Sequence, residues 1–272
     1  MSSAFSVAPE TLSRRIAAPD APILIDVRID EDFTADPRLL PGAKRRPYEA
    51  VPDWGPSLVG AEVVVVCHRG LKLSQGVAAW LRHLGARATA LEGGAAAWAE
   101  AGLPMIREAA IPAPGRAGAT LWVTRERPKV DRIACPWLIR RFVDRDAVFL
   151  YVGAAEVAAV AERFGATPFD VEGAFWSHRG ELCSFDVMLA EFGLASPALE
   201  RLARVVRGAD TGRPELAAEA AGLLAACLGL SRLHGDDLRQ LEAGLPLFDA
   251  FYRWSLQAAD ETHSWPAQRL SA

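Results

Sequence analysis

The chain has 272 residues, 51% of them hydrophobic and 24% charged, proportions that exclude a disordered or fibrous protein. A formal net charge of −4 and a pI near 5.8 give no whole-chain attraction to nucleic acid, so DNA contact would need a local basic surface. No apolar run reaches the roughly 18–20 residues that a bilayer requires. Met1 to Pro9 lacks the basic and apolar regions of a secretion signal. Cys67, Cys135, Cys183 and Cys227 form no closely spaced pair, so a cytoplasmic protein with reduced thiols and no membrane contact is expected.

The first hundred residues alternate strand-like and helix-like segments. Ile23 to Val27 and Val63 to Val66 are short aliphatic runs of the kind that form strands covered on both faces. Val77, Trp80, Leu81 and Leu84 then recur at helical spacing, with Gly85 placed to end the helix. A weaker strand follows over Ala88 to Leu91, then Gly93-Gly94 and a short helix carrying Trp98. This alternation predicts an α/β domain with a parallel sheet over residues 1–108. Residues 109–119, rich in Ala, Pro and Gly, read as a linker.

The second half predicts a mostly helical α+β domain over residues 120–258, followed by a polar tail over 259–272. Leu121 to Thr124 and Val148 to Val152 read as strands, with a helix between them built on Pro136, Trp137, Leu138, Phe142 and Val143. Further helices are expected at Ala154–Phe164, Phe185–Phe192, Pro197–Val206, Glu215–Leu228 and Asp236–Ser255.

Cys67-His68-Arg69-Gly70-Leu71-Lys72-Leu73-Ser74 sits where the valine strand ends and the next helix begins. Ligands bind at the carboxyl ends of strands in a parallel sheet. A tight strand-to-helix loop turns backbone N–H groups inward and aims a helix N-terminus at the same point, an anion cradle that favours a thiolate. Arg69 and Lys72 add positive charge.

These residues resemble the rhodanese (thiosulfate sulfurtransferase) family, whose loop is roughly C-x-x-G-x-R. Cys67, Gly70 and Lys72 occupy the corresponding places. Asp26-Val27-Arg28 with Asp32-Phe33, Leu40-Pro41-Gly42-Ala43, and Leu91-Glu92-Gly93-Gly94 with Trp98 and Gly102-Leu103-Pro104 resemble flanking signatures of the family in order. The resemblance implies that Cys67 takes the outer sulfur of thiosulfate as a persulfide and passes it to a thiol or cyanide-like acceptor, without a cofactor. His68, Arg69, Gly70, Leu71 and Lys72 would bind the donor, and Asp26 and Arg28 would support the loop. Lys72 in place of arginine keeps the charge and loses bidentate geometry. Related phosphatases carry arginine where this chain has Leu73, which argues against phosphatase chemistry.

In the second half, Arg125, Arg127, Lys129, Arg132, Arg140 and Arg141 outnumber Glu126 and Asp131. Proline favours the first helical position, so Pro136 predicts Cys135 as a helix N-cap, either a second reactive thiol or a buried cap. His178, Glu181, Cys183 and Asp186 are metal-ligand types, and His178 and Glu181 are spaced to face one centre on a helix or turn. His234 is the distant partner for a metal site of unknown identity, with Asp210 a further candidate. N-capping by Ser184 and surface ion pairs would account for the same residues without a metal.

Arg125 to Phe142, His178 to Asp186, Val206 to Thr211 and Leu230 to His234 resemble the chromate-resistance domain of bacterial chromate-resistance operons. The expectation is a bacterial sulfurtransferase in a chromate or oxyanion resistance context. The alternative is a chromate-responsive sensor or regulator with an inactive rhodanese module, meeting DNA through Arg125–Arg141.

Overall fold

The computed structural model describes residues 5–115 and 118–261, so most of the expected polar tail and part of the expected linker lie outside the described residues. In chain order the first half contains β1 (Ser6–Val7), α1 (Pro9–Ser13), β2 (Ile23–Asp26), α2 (Asp30–Ala35), β3 (Arg38–Leu39), β4 (Lys44–Arg45), α3 (Val51–Trp54), β5 (Glu62–Val66), α4 (Lys72–His83), β6 (Arg87–Leu91), α5 (Gly94–Glu100) and β7 (Ile106–Arg107). Five strands form one parallel sheet in the order β1-β6-β5-β2-β4. The valines of β5 sit at its centre and are buried, as the unbroken apolar run requires of a strand covered on both faces. The edge strands β1 and β4 are two residues long, too short to leave a periodic signal.

Central position fixes what lies at the carboxyl edge. Asp26 of β2 pairs with Val66 of β5, and the Val27 N–H donates to the Val66 carbonyl. The chain therefore leaves β2 at Arg28 and β5 at Cys67 side by side, next to the Gly93-Gly94 turn that leaves β6.

The second half contains β8 (Leu121–Arg125), α6 (Asp131–Leu138), β9 (Val148–Val152), α7 (Val157–Phe164), β10 (Thr167–Pro168), α8 (Ser184–Phe192), α9 (Pro197–Asp210), α10 (Ala220–Leu233) and α11 (Asp237–Gln257). A small parallel sheet, β10-β8-β9, is packed within these helices. Trp137 of α6 anchors the core, its ring 5.4 Å from Tyr252 and 5.7 Å from Phe142, while its indole N–H donates to Asp249 at 2.7 Å. The helix expected from Glu215 starts instead at Ala220, because Pro214 sets residues 214–216 in a 3-10 turn.

The two halves share one apolar core in which Leu12, Leu40, Trp98 and Met105 pack with Trp137, Phe142 and Phe192. Lys44 bridges to Asp146 at 2.6 Å and Asp144 at 3.2 Å, and the Arg107 guanidinium donates to the Glu191 carbonyl. Among the described residues no helix is long and apolar enough to cross a membrane.

Pro136 lies inside α6, not at its start. Its missing N–H leaves the carbonyl of Arg132 without the usual helical partner, and the Tyr151 hydroxyl of β9 donates to that carbonyl at 2.8 Å. Tyr151→Phe is expected to destabilise the protein by about 1–3 kcal/mol, the cost of an unsatisfied buried acceptor. A lower urea midpoint measures this, and an unchanged midpoint would show that water supplies the bond.

Candidate functional site

Cys67 follows the last buried valine of β5, and its own side chain is buried. The loop from Cys67 to α4 folds back against the turn after β6. Gly70 has φ +66° and lies so close to that turn that an added Cβ would collide with the Leu91 carbonyl oxygen and sit 2.7 Å from the Gly93 nitrogen. The Ala95 N–H donates to the Cys67 carbonyl at 2.9 Å, and the Ala96 N–H to that of His68 at 3.0 Å. Those bonds point the first turn of α5 at the loop and fix its path.

The Cys67 thiol donates to the Ser74 hydroxyl oxygen at 3.1 Å, and that hydroxyl donates to the Leu71 carbonyl at 3.2 Å. Ser74 lies in the first turn of α4, whose leading N–H groups have no acceptor within the helix. Arg69, Leu71 and Lys72 are exposed around the loop, and His68 is half-buried. A nucleophile set under a cationic rim beside a hydroxyl is suited to attack on a small anion.

Beside this loop, Arg28 and Asp26 form a buried ion pair at 2.6 Å. The Arg28 guanidinium also donates to the carbonyls of Asp36 and Arg38, tying the β2 exit to the chain before β3. Both groups are enclosed by protein and shape the strand exit.

A second cluster lies in the other half. His178 Nε2 is 3.5 Å from an Asp131 oxygen, 3.3 Å from Asp170 and 3.2 Å from Asp210. Asp131 opens α6, Asp170 follows β10 with φ +51°, and Asp210 closes α9. Asp131 Oδ2 accepts the N–H groups of Ser184 and Phe185 at the start of α8, at 2.5 and 3.3 Å. The Ser184 hydroxyl donates to Asp170 at 2.7 Å, and Arg132 lies 3.3 Å from the same carboxylate. Burial, followed by the charges of Asp210 and Asp170, pushes the Asp131 carboxyl well above its ordinary value. The hydrogen bond to Asp170 raises the His178 imidazole to about 9, against the opposing effect of burial.

Comparison with known proteins assigns each half. The family model of the rhodanese-like domain matches residues 8–101, and that of the ChrB C-terminal domain matches residues 122–255. The chain joins a rhodanese-like domain to a ChrB C-terminal domain. Protein ChrB of Cupriavidus metallidurans is 41% identical over 133 residues, covering 48% of this chain and 39% of that relative, so the match spans under half of either protein. Among solved structures, a rhodanese-related protein from Thermoplasma volcanium is 22% identical, with TM-score 0.33, over 38% of this chain and 98% of that one. A rhodanese-like domain protein from Staphylococcus aureus is 30% identical, with TM-score 0.31, over 34% of this chain and 89% of that one. A thiosulfate sulfurtransferase from Pseudomonas aeruginosa is 27% identical, with TM-score 0.33, over 38% of this chain and 19% of that one.

Within the rhodanese-like domain, the residues singled out in the sequence stand together at one sheet edge. Ser74 was not among them, and its only signal is its place in the first turn of α4. Within the ChrB C-terminal domain the expectations need correction. Cys135 is not a cap: α6 begins at Asp131, Cys135 is fully buried inside it, and burial pushes its thiol well above the ordinary value. Glu181 does not join His178, because residues 179–182 form a tight bridged turn that sends Glu181 outward to Arg213. His234 is also apart from the cluster; it ends α10, and its carbonyl accepts a bond from Arg127.

The basic segment is largely satisfied internally. Arg125 and Arg132 face Asp170, Arg127 donates to the carbonyls of Ser231 and His234, Arg140 pairs with Glu242, and Arg141 grips Asp249 through two bonds.

Proposed function

We propose that the rhodanese-like domain is a sulfurtransferase, taking sulfane sulfur from thiosulfate or a similar small anionic donor onto Cys67 and passing it to a thiophilic acceptor. The observation that carries this reading is the closed loop from Cys67 to Ser74, which sets the thiol 3.1 Å from a hydroxyl at the carboxyl edge of the sheet. The Cys67 thiolate attacks the outer sulfur of thiosulfate. A new sulfur–sulfur bond forms on Cys67 as the old one breaks, and sulfite leaves with the electron pair. A thiol or cyanide acceptor then takes the terminal sulfur, and Cys67 departs as thiolate. The cycle is redox-neutral and calls for no cofactor.

Ser74 has a specific part in this. Its hydroxyl now donates to the Leu71 carbonyl and accepts from the thiol. Once the sulfur is anionic, the hydroxyl rotates to donate to it. Arg69 and Lys72 neutralise the departing sulfite, Lys72 as a point charge rather than a fork. The chromate-responsive regulator remains the alternative, but its DNA contact would have to break the internal pairs of Arg125 to Arg141.

Thiosulfate added to the pure, reduced full chain is expected to increase its mass by one sulfur atom, localised to Cys67 and removed by cyanide. Cys67→Ser is expected to show no gain. A wild-type protein that gains no sulfur would overturn thiosulfate as the donor.

A further inference from the structure

The cluster around His178 is not used by sulfur transfer, and it has features of its own. A neutral imidazole nitrogen carries at most one proton, and even as a donor it directs that proton to one acceptor. Here one nitrogen, Nε2, faces three carboxylates at 3.2, 3.3 and 3.5 Å. That is how ligand atoms stand around a shared cation. With metal–ligand bonds of about 2.0–2.1 Å in a tetrahedron, ligand atoms lie about 3.3–3.4 Å apart. The ligand oxygens of Asp131 and Asp170 and the His178 nitrogen all lie within 4.8 Å of one another.

A second observation is independent of that spacing. The Asp131 side chain is only 1% exposed, and its Oδ1 has no hydrogen-bond partner. Oδ2 of the same carboxylate accepts two N–H groups at the start of α8 and is also the oxygen that faces His178 at 3.5 Å. A buried carboxylate oxygen without a donor is costly, and its carboxylate faces the same imidazole nitrogen as two further carboxylates. Arg132 and Arg125 approach only Asp170 within ion-pair distance. A dication held by this carboxylate would offset its buried charge and that of the other carboxylates around His178.

We propose that Asp131, Asp170, His178 and Asp210 form a binding site for one divalent first-row transition cation of the manganese, iron or zinc class. Three carboxylates favour manganese, and an imidazole suits iron and zinc, so the donor set is borderline rather than soft. The ligands are held from behind, as metal ligands commonly are: Ser184 and Arg132 on Asp170, and two backbone N–H groups on Asp131. His178 is 40% exposed, which gives the ion a path from solvent.

The test uses the full chain, stripped with a chelator and titrated separately with manganese and zinc while bound metal and melting temperature are followed. Expected is one ion per chain and a rise in melting temperature. His178→Gln and Asp210→Asn are the informative variants, because Asp131 also caps α8 and its loss would disturb folding. Each is expected to weaken binding by roughly 10- to 100-fold or more, the scale on which even hydrogen-bond partners of metal ligands act. Glu181→Gln and Cys67→Ser should bind as the parent does. A folded wild-type chain that takes up neither ion, or uptake unchanged in both informative variants, overturns the proposal.

Discussion

Arg28→Ala is expected to destabilise the protein by about 3–5 kcal/mol, because it leaves the Asp26 carboxylate buried and uncompensated. Asp26 and Arg28 are enclosed to within about a hundredth of their side-chain surface. The guanidinium meets both Asp26 oxygens, donates to the carbonyls of Asp36 and Arg38, and lies over the Phe33 ring. Lysine keeps the charge but has no planar fork to span those partners, so Arg28→Lys should recover only part of the loss. An Asp26→Leu, Arg28→Met double variant removes both charges and should recover more, though the Asp36 and Arg38 carbonyls still lose their donors. Urea midpoints of the four proteins rank these effects. A single Arg28→Ala variant as stable as the parent would mean that water reaches Asp26, contrary to its burial.

That prediction rests on residues the sequence displays almost contiguously, and so does most of the first site. Cys67 to Ser74 is a single stretch, and the strands before it announce themselves by unbroken aliphatic runs. The second cluster is different. Asp131, Asp170, His178 and Asp210 are up to 79 positions apart, as the bond from the Asp131 N–H to Asp210 illustrates. Only the packing of α6 and α9 against the loop between β10 and α8, which carries Asp170 and His178, brings them together. Asp210 enters it because α9 runs on to that residue rather than stopping near Val206. Local rules also failed where tertiary partners outbid them. Proline after Cys135 suggested a helix start, yet α6 begins at Asp131 and the Tyr151 hydroxyl takes the carbonyl that Pro136 leaves open. The acids that pair with Arg132, Arg140 and Arg141, namely Asp170, Glu242 and Asp249, lie far along the chain, so the local excess of positive charge between Arg125 and Arg141 did not show what answers it.

Gly94→Ala is expected to slow sulfur loading of Cys67 by about 100-fold, the penalty that a misplacement of about 1 Å can impose on a reacting group. Gly94 has φ +63°, a conformation that costs an L-residue roughly 1–2 kcal/mol. The steric conflict is the larger obstacle. An added Cβ would collide with the Cys67 carbonyl oxygen and stand 2.6 Å from that of His68. Those are backbone atoms of the nucleophile's own loop, already bound by the Ala95 and Ala96 N–H groups, so no side-chain rotation relieves them. Either the turn after β6 or the loop after β5 must move, and each displaces Cys67 relative to Ser74. Gly76→Ala is the matched control: Gly76 lies in α4 with open space where its Cβ would go. It should gain about 0.5–1 kcal/mol of stability from the helix interior and load at the parent rate. Loading is followed as the rate of mass gain on thiosulfate. A Gly94→Ala protein that loads as fast as the Gly76→Ala control would show that the path of the loop does not govern the reactivity of Cys67.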